Sequence, residues 1–224
     1  EIFNICGSNK RILLFLLKKE IVNFDNFMIN SLNYGKKYKY FINIKGIKQF
    51  LSEKVISETE KEIENIDQNL FLQYQDEGEN ENYICYLIRK DLIDEFVIYV
   101  SKNIIHLDSK IKKSIFETNA FLINKEPTLI EYAAFFGSIQ IFRYMTLNNV
   151  KLTPSLWLYA IHGKNYELIH LLEENKIKPE DQTYIKILEE AIKCHHNEIV
   201  DYICDNYCEN YDEKVQQSII SFNY

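Results

Sequence analysis

Between residues 127 and 203 the chain repeats itself, and that repetition narrows the choice of fold more than any other feature. The segment from Pro127 to Met145 is answered by Thr153–Leu172 and again by Tyr184–Ile203. The second and third copies align at an offset of 31 residues: Leu156 falls on Ile187, Ala160 on Ala191, Leu168 on Ile199, Ile169 on Val200 and Leu172 on Ile203. The first and second align at 26 at Ala134 and Ala160, and at 27 by Phe142 and Ile169, so one residue is inserted in the turn. Each copy reads as a short helix carrying a small alanine, a tight turn and a second apolar helix. Units of this kind, with a period near 30, cannot bury an apolar face alone and stack on their neighbours.

Residues 82–100 read as a further copy, with Ile84 on Leu156, Ile88 on Ala160, Asp91 on Gly163, and Phe96, Val97 and Val100 on Leu168, Ile169 and Leu172. The alanines allow neighbouring first helices to approach closely. Gly137 and Gly163 are expected to end those helices in the left-handed conformation, and Pro127 and Pro154 to sit in first turns, where a missing N–H matters least. Residues 101–126 read as an insertion or irregular copy, with Ile111, Ile115 and Phe116 on a short helix and Phe121–Ile123 extended or packed.

The N-terminal third lacks this regularity. Lys10–Val22 reads as a helix apolar around most of its circumference and therefore covered by protein, and Phe27–Leu32 as a second, short one. Charge then segregates. Lys36–Lys54 holds six lysines against Glu53, whereas Glu58–Glu81 holds nine acidic residues against Lys61. Apolar spacing predicts one long helix from Glu53 to Tyr74, followed by a solvated loop at Asp76–Glu81.

These residues resemble ankyrin repeats. The resemblance is carried by Pro127-Thr-Leu, Ala133-Ala134, Gly137, Thr153-Pro154, Ala160, Gly163, Glu167-Leu-Ile, Leu171-Leu172, Ala191, His195 and Asn197-Glu-Ile-Val200. More narrowly, Ser114–Asn119 and the segments after it are similar to a divergent ankyrin-related domain of unknown function abundant in trichomonad flagellates. The resemblance covers about 82–208 and fades toward the N-terminus. It departs from the pattern where Cys194 replaces glycine and in its variable repeat lengths, which puts regular β-hairpin fingers in doubt. It implies a protein-interaction scaffold without catalysis of its own.

Composition agrees with a folded, mostly helical chain: 46% of residues are apolar, with only three prolines and six glycines in 224. A formal charge of −7 argues against a general nucleic-acid binder. Five cysteines (Cys6, Cys85, Cys194, Cys204, Cys208) without framework spacing suggest a reducing, cytoplasmic setting. The apolar run Ile12–Leu17 is too short to span a membrane.

Candidate chemistry is sparse. Cys194, His195 and His196 with Cys204 and Cys208 match no common zinc spacing, and read as a small buried thiol with turn-capping histidines. His162, His170, Glu167 and Glu173 read as ordinary surface groups, and no hydrolase, metalloprotease or phosphate-loop motif is found. Lys36, Lys37, Lys39, Lys45 and Lys48 interleave with Tyr38, Tyr40 and Phe41, a pattern suited to an acidic protein surface or RNA. Its plainer reading is an amphipathic strand or turn with the rings inward. Tyr132, Trp157 and Tyr159 are candidate anchors on a concave face, with Ser155, Leu158 and His162 on the exposed side of their helix.

The reading is therefore an all-α chain: an ankyrin-like helical-hairpin solenoid at 82–208, a helical N-terminal region at 1–81, and the start of a further helix at 209–224. Its expected role is a non-catalytic adaptor, without cofactor or metal, binding a protein through Lys36, Lys37, Lys39, Lys45, Lys48, Ser155, Leu158 and His162. The alternative is a structural component of a large assembly such as the microtubule or flagellar cytoskeleton; an enzyme or metal-binding regulator is a remote third.

Overall fold

The computed structural model describes residues 9–180 and 182–207, and among them regular structure is helical, apart from one isolated bridge. The helix expected at 209–224 lies outside the described residues. The chain divides into two compact units, one formed by Glu1–Asn82 with Lys112–Glu126, the other by Tyr83–Ile111 with Pro127–Tyr224. Residues 112–126, part of the stretch read from the sequence as an insertion or irregular copy within 82–208, belong with the first unit.

The first unit begins with α1 (Lys10–Lys18), whose N-cap Asn9 accepts hydrogen bonds from the amides of Arg11 and Ile12. Only one face of α1 is covered: Leu13, Leu14 and Leu17 are buried, while Ile12 and Phe15 are 44% and 56% exposed, so the expected all-round cover is not observed. Helix α2 (Asn26–Asn33) runs into a 3₁₀ segment, Tyr34–Phe41. The basic–aromatic stretch is therefore neither strand nor turn. At three residues per turn, Tyr38 and Phe41 align, and both are buried with Tyr40.

A short 3₁₀ turn (Lys48–Phe50) leads to α3 (Glu53–Ile63) and α4 (Gln68–Glu77). The single long helix expected over 53–74 is broken because the Asp67 carboxylate caps a new start, accepting from the amides of Asn69 and Leu70. The expected solvated loop is also corrected. Gly78 and Asn80 are buried; Thr118 donates to the Gly78 carbonyl through its amide and hydroxyl, and Asn80 Nδ2 donates to Lys112 O at 2.9 Å. Residues 111–116 form no helix. Phe116 instead enters the first unit's core, edge-on to Phe71 with centroids 5.0 Å apart. The Tyr40 hydroxyl donates to Gln75 O, and Gln75 Nε2 donates back to Tyr40 O, tying the 3₁₀ segment to α4.

Among the described residues the second unit contains four helix pairs: α5 (Tyr83–Arg89) with α6 (Ile93–Lys102), α7 (Leu129–Phe136) with α8 (Ile139–Leu147), α9 (Leu156–Gly163) with α10 (Tyr166–Glu174), and α11 (Ile185–Lys193) with α12 (Asn197–Tyr207). The first helices contact one another in chain order. Ile84, Ile130, Leu156 and Ile187 are buried at equivalent positions, as are Val100, Met145, Leu172 and Ile203 in the second helices.

The turns recur as well. Asp91, Gly137, Lys164 and His195 each hold a positive φ, from 47° to 69°, between the helices of their pair. The amide after Asp91, Gly137 and His195 bonds back to a carbonyl five residues earlier: Leu92 to Leu87, Ser138 to Ala133, His196 to Ala191. The same closure follows the second helices at Ile105, Val150 and Ile177.

Gly163 is not the left-handed residue that the sequence suggested; Lys164 is, and Gly163 closes the helix. Its glycine identity has another cause. A Cβ there would stand 2.2 Å from Ala134 O and 3.0 Å from Gly137 N, so only a hydrogen side chain admits this approach of successive pairs.

Hydrogen bonds stitch neighbouring pairs at their turns. Ser138 Oγ donates to Ile88 O at 2.5 Å, Asn165 Nδ2 donates to Gly137 O at 3.2 Å, and His196 Nδ1 lies 2.9 Å from Ile161 O. The Asp91 carboxylate accepts from the amides of Gln140 and Ile141, capping α8. Between α6 and α7, Lys110 and Thr128 form an antiparallel bridge, with Ile111 N donating to Pro127 O at 2.7 Å. The chain leaves this unit after Ile111 and returns at Pro127.

Candidate functional site

The five lysines singled out at 36–48 do not form one free patch. Lys39 is ion-paired with Glu62, and Lys48 with Glu60 at 2.7 Å. The acidic helix α3 thus neutralises part of the basic stretch within the first unit. Lys45 lines a separate cavity of about 390 Å³ beside Glu20 and Phe24.

Lys36, Lys37 and Lys39 converge with two cations from elsewhere in the chain. Together with Lys10 and Lys113 they line a cleft of about 340 Å³ whose acidic lining residue is Glu62. Lys10 is the anchor. It is 4% exposed, and its Nζ donates to Ile115 O at 2.9 Å and Glu117 O at 3.0 Å. Burial lowers its pKa to about 8, against the opposing pull of Glu117 and with a further lowering from Lys37, so it remains an ammonium at neutral pH. In a chain of net charge −7, five lysines around one cleft make a local field for anionic groups. Lys10 and Lys113 were missed from sequence because they lie 26 and 77 residues from Lys36, and only the fold of 112–126 onto the first unit brings them there.

Ser155, Leu158 and His162 share the face of α9 expected to be exposed, yet each is half-buried against an adjacent pair. Ser155 Oγ donates to Glu131 Oε1 on α7 at 2.6 Å; Leu158 lines a small cavity with Lys186 and Ile187 of α11; His162 Nε2 lies 2.9 Å from Glu190 Oε1 on α11. They form the seam between first helices. Tyr132, Trp157 and Tyr159 are buried rather than available as surface anchors, and Trp157 Nε1 donates to Ile177 O.

The other candidate groups disperse. Glu167 pairs with Arg143, and His170 lies 3.0 Å from Glu173. Burial pushes the Glu173 carboxyl up, but hydrogen bonds from Tyr207, His170 and Tyr202 outweigh it, leaving its pKa below the ordinary value. Cys194 does not meet His195, which is exposed, or His196, which is held on Ile161 O. It meets His162 instead, with Sγ 3.5 Å from Nδ1 and 3.9 Å from Nε2, so that His162, Glu190 and Cys194 stand together. The repeat offset held this signal. At 31 residues Cys194 falls on Gly163, so it lies one position along the stack from His162.

No protein-family model matches the chain, and comparison with curated proteins and with solved structures finds no match.

Proposed function

We propose that this chain is a non-catalytic protein-interaction module: a divergent ankyrin-type stack at 83–111 and 127–207 joined to a lysine-lined first unit that receives an acidic segment of a partner protein. The observation that carries the reading is the fourfold recurrence of helix, left-handed turn and helix, with side chains of one turn bonded to the preceding pair. Arrays of this kind present a broad, rigid surface. The paired bridge before α7 supports the ankyrin-type assignment, since such units begin with a β-turn element. The choice of an acidic partner rests on the cleft at Lys10, Lys36, Lys37 and Lys113.

The test is affinity capture of the full chain from its own cells, comparing wild type with the triple variant Lys36→Glu, Lys37→Glu, Lys113→Glu, which leaves the Lys39 and Lys48 ion pairs intact. Selective loss of one stoichiometric partner with acidic segments supports the reading. An unchanged partner list in this variant and in Leu158→Arg would sink it.

A further inference from the structure

His162, Glu190 and Cys194 bring an imidazole, a carboxylate and a thiol onto one seam, from two successive repeat units. His162 comes from the last turn of α9, Glu190 from α11, and Cys194 from the residue that caps α11. One ligand atom from each lies within 4.8 Å of the other two. Zinc bonds of about 2.0–2.3 Å in a tetrahedron set ligand atoms roughly 3.3–3.7 Å apart. The separations are 2.9 Å from Nε2 to Glu190 Oε1 and 3.9 Å from Nε2 to Cys194 Sγ, with Sγ also 3.5 Å from Nδ1, so binding at Nε2 turns the thiol or the ring until the sulfur faces the Nε2 lone pair.

The surroundings orient two of the three ligands. Phe135 stacks on the His162 ring, centroids 4.7 Å apart and planes 27° from parallel, which fixes the plane of the imidazole. Lys193 Nζ lies 3.5 Å from Glu190 Oε2 and leaves Oε1 directed at His162. Such outer contacts are what set ligand orientation in metal sites. All three residues are half-buried, so the cluster is partly reached by solvent. A hydrogen bond between His162 and Glu190 would by itself hold the seam; it does not account for a thiol within reach of both imidazole nitrogens.

We propose that His162, Glu190 and Cys194 form a binding site for a borderline divalent transition metal, Zn²⁺ or Co²⁺, with water in the fourth position. One thiolate and one imidazole favour these ions over Mg²⁺ and Ca²⁺, which take oxygen ligands. On binding, the Cys194 thiol loses its proton to solvent and its sulfur lone pair forms the metal–sulfur bond, while the imidazole proton that faces Glu190 moves from Nε2 to Nδ1 and frees the Nε2 lone pair for the ion. One proton is therefore released per ion and no electron is transferred. Because α9 and α11 belong to different pairs, the ion clamps one repeat to the next.

The experiment titrates the full, reduced chain with Co²⁺, followed by displacement with Zn²⁺. A thiolate-to-cobalt charge-transfer band in the near ultraviolet, saturating at one equivalent, is expected. It should be lost in Cys194→Ser and retained in Cys204→Ser, with affinity down at least tenfold in His162→Gln and Glu190→Gln. A band that persists in Cys194→Ser, or no binding by wild type, overturns the proposal. A second measurement needs no variant. Alkylation of wild type with and without Zn²⁺, mapped by peptide mass, should show Cys194 protected by the ion while Cys204 is not; equal labelling of Cys194 in both conditions overturns the site.

Discussion

The two units are built from similar helices and held together by different means. In the second, the same turn recurs four times, glycines let backbones touch, and hydrogen bonds from one turn reach the preceding pair. In the first, no turn or helix pair recurs among the described residues. A 3₁₀ segment buries three aromatic rings, a remote stretch supplies Phe116, and lysines of one segment pair with glutamates of another. Repetition places the stabilising contacts in main-chain geometry, whereas the irregular unit places them in individual side chains. Substitutions should separate the two.

The largest effect is expected where backbones meet. Gly163→Ala puts a methyl group 2.2 Å from Ala134 O, and neither main chain can yield without moving a helix. A loss of about 3 kcal/mol is expected, as for severe overpacking. Hydrogen exchange should show lowered protection across α7–α11 and unchanged protection in α1–α4; a uniform change would erase the distinction between the units.

Next in size is a pH effect specific to the first unit. Lys10 has its pKa lowered from 10.5 to about 8 by burial, so between those values the unfolded chain binds more protons than the folded one. Stability from this group therefore rises with pH through that window, by about 2 kcal/mol from pH 8 to 10. Urea denaturation should show this slope in wild type relative to Lys10→Met. Tyr40, pushed up to about 12 mainly by burial, works in the opposite sense above pH 10, which is why the comparison with the variant is the readout.

Lys164→Gly should go the other way. Its φ of 47° disfavours a side chain, and glycine there should stabilise the second unit by ~1 kcal/mol, read as a higher melting temperature. A loss instead would mean that the recurring turn depends on the lysine side chain as well as on its geometry. The smallest effect is expected for Lys48→Ala, which removes a half-exposed ion pair with Glu60. A change below about 0.5 kcal/mol, vanishing in high salt, is anticipated.

The same difference decides what could be read from sequence. Helix pairs from 83 onward were legible because buried positions such as Leu156 and Ile187 recur at fixed offsets. Their turns were less so: Lys164, not Gly163, takes the left-handed position, since the repeat constrains backbone geometry and not residue type. In the first unit, apolar spacing continued through Asp67, where a side-chain cap overrides it. The pairing of Lys39 with Glu62 and the burial of Asn80 depend on contacts between distant segments, for which local patterns carry no signal. Of the candidate sites, three cleft lysines were visible as a charge run, but Lys10 and Lys113 were not. His162 was expected on an exposed face and Cys194 beside His195 and His196; the stacking of successive pairs instead brings His162 and Cys194 together.

The excursion of the chain between Ile111 and Pro127 also bears on the order of events during synthesis. Phe116, which completes the first unit's core, leaves the ribosome only after all of α5 and α6 have been made. At a few residues to about 20 per second, the nascent first unit waits seconds for that ring, while two helices of its neighbour are already outside without α7 to cover them. The first unit thus cannot finish until the segment up to Glu126 has been made, and the chain must carry two incomplete cores at once before either one closes.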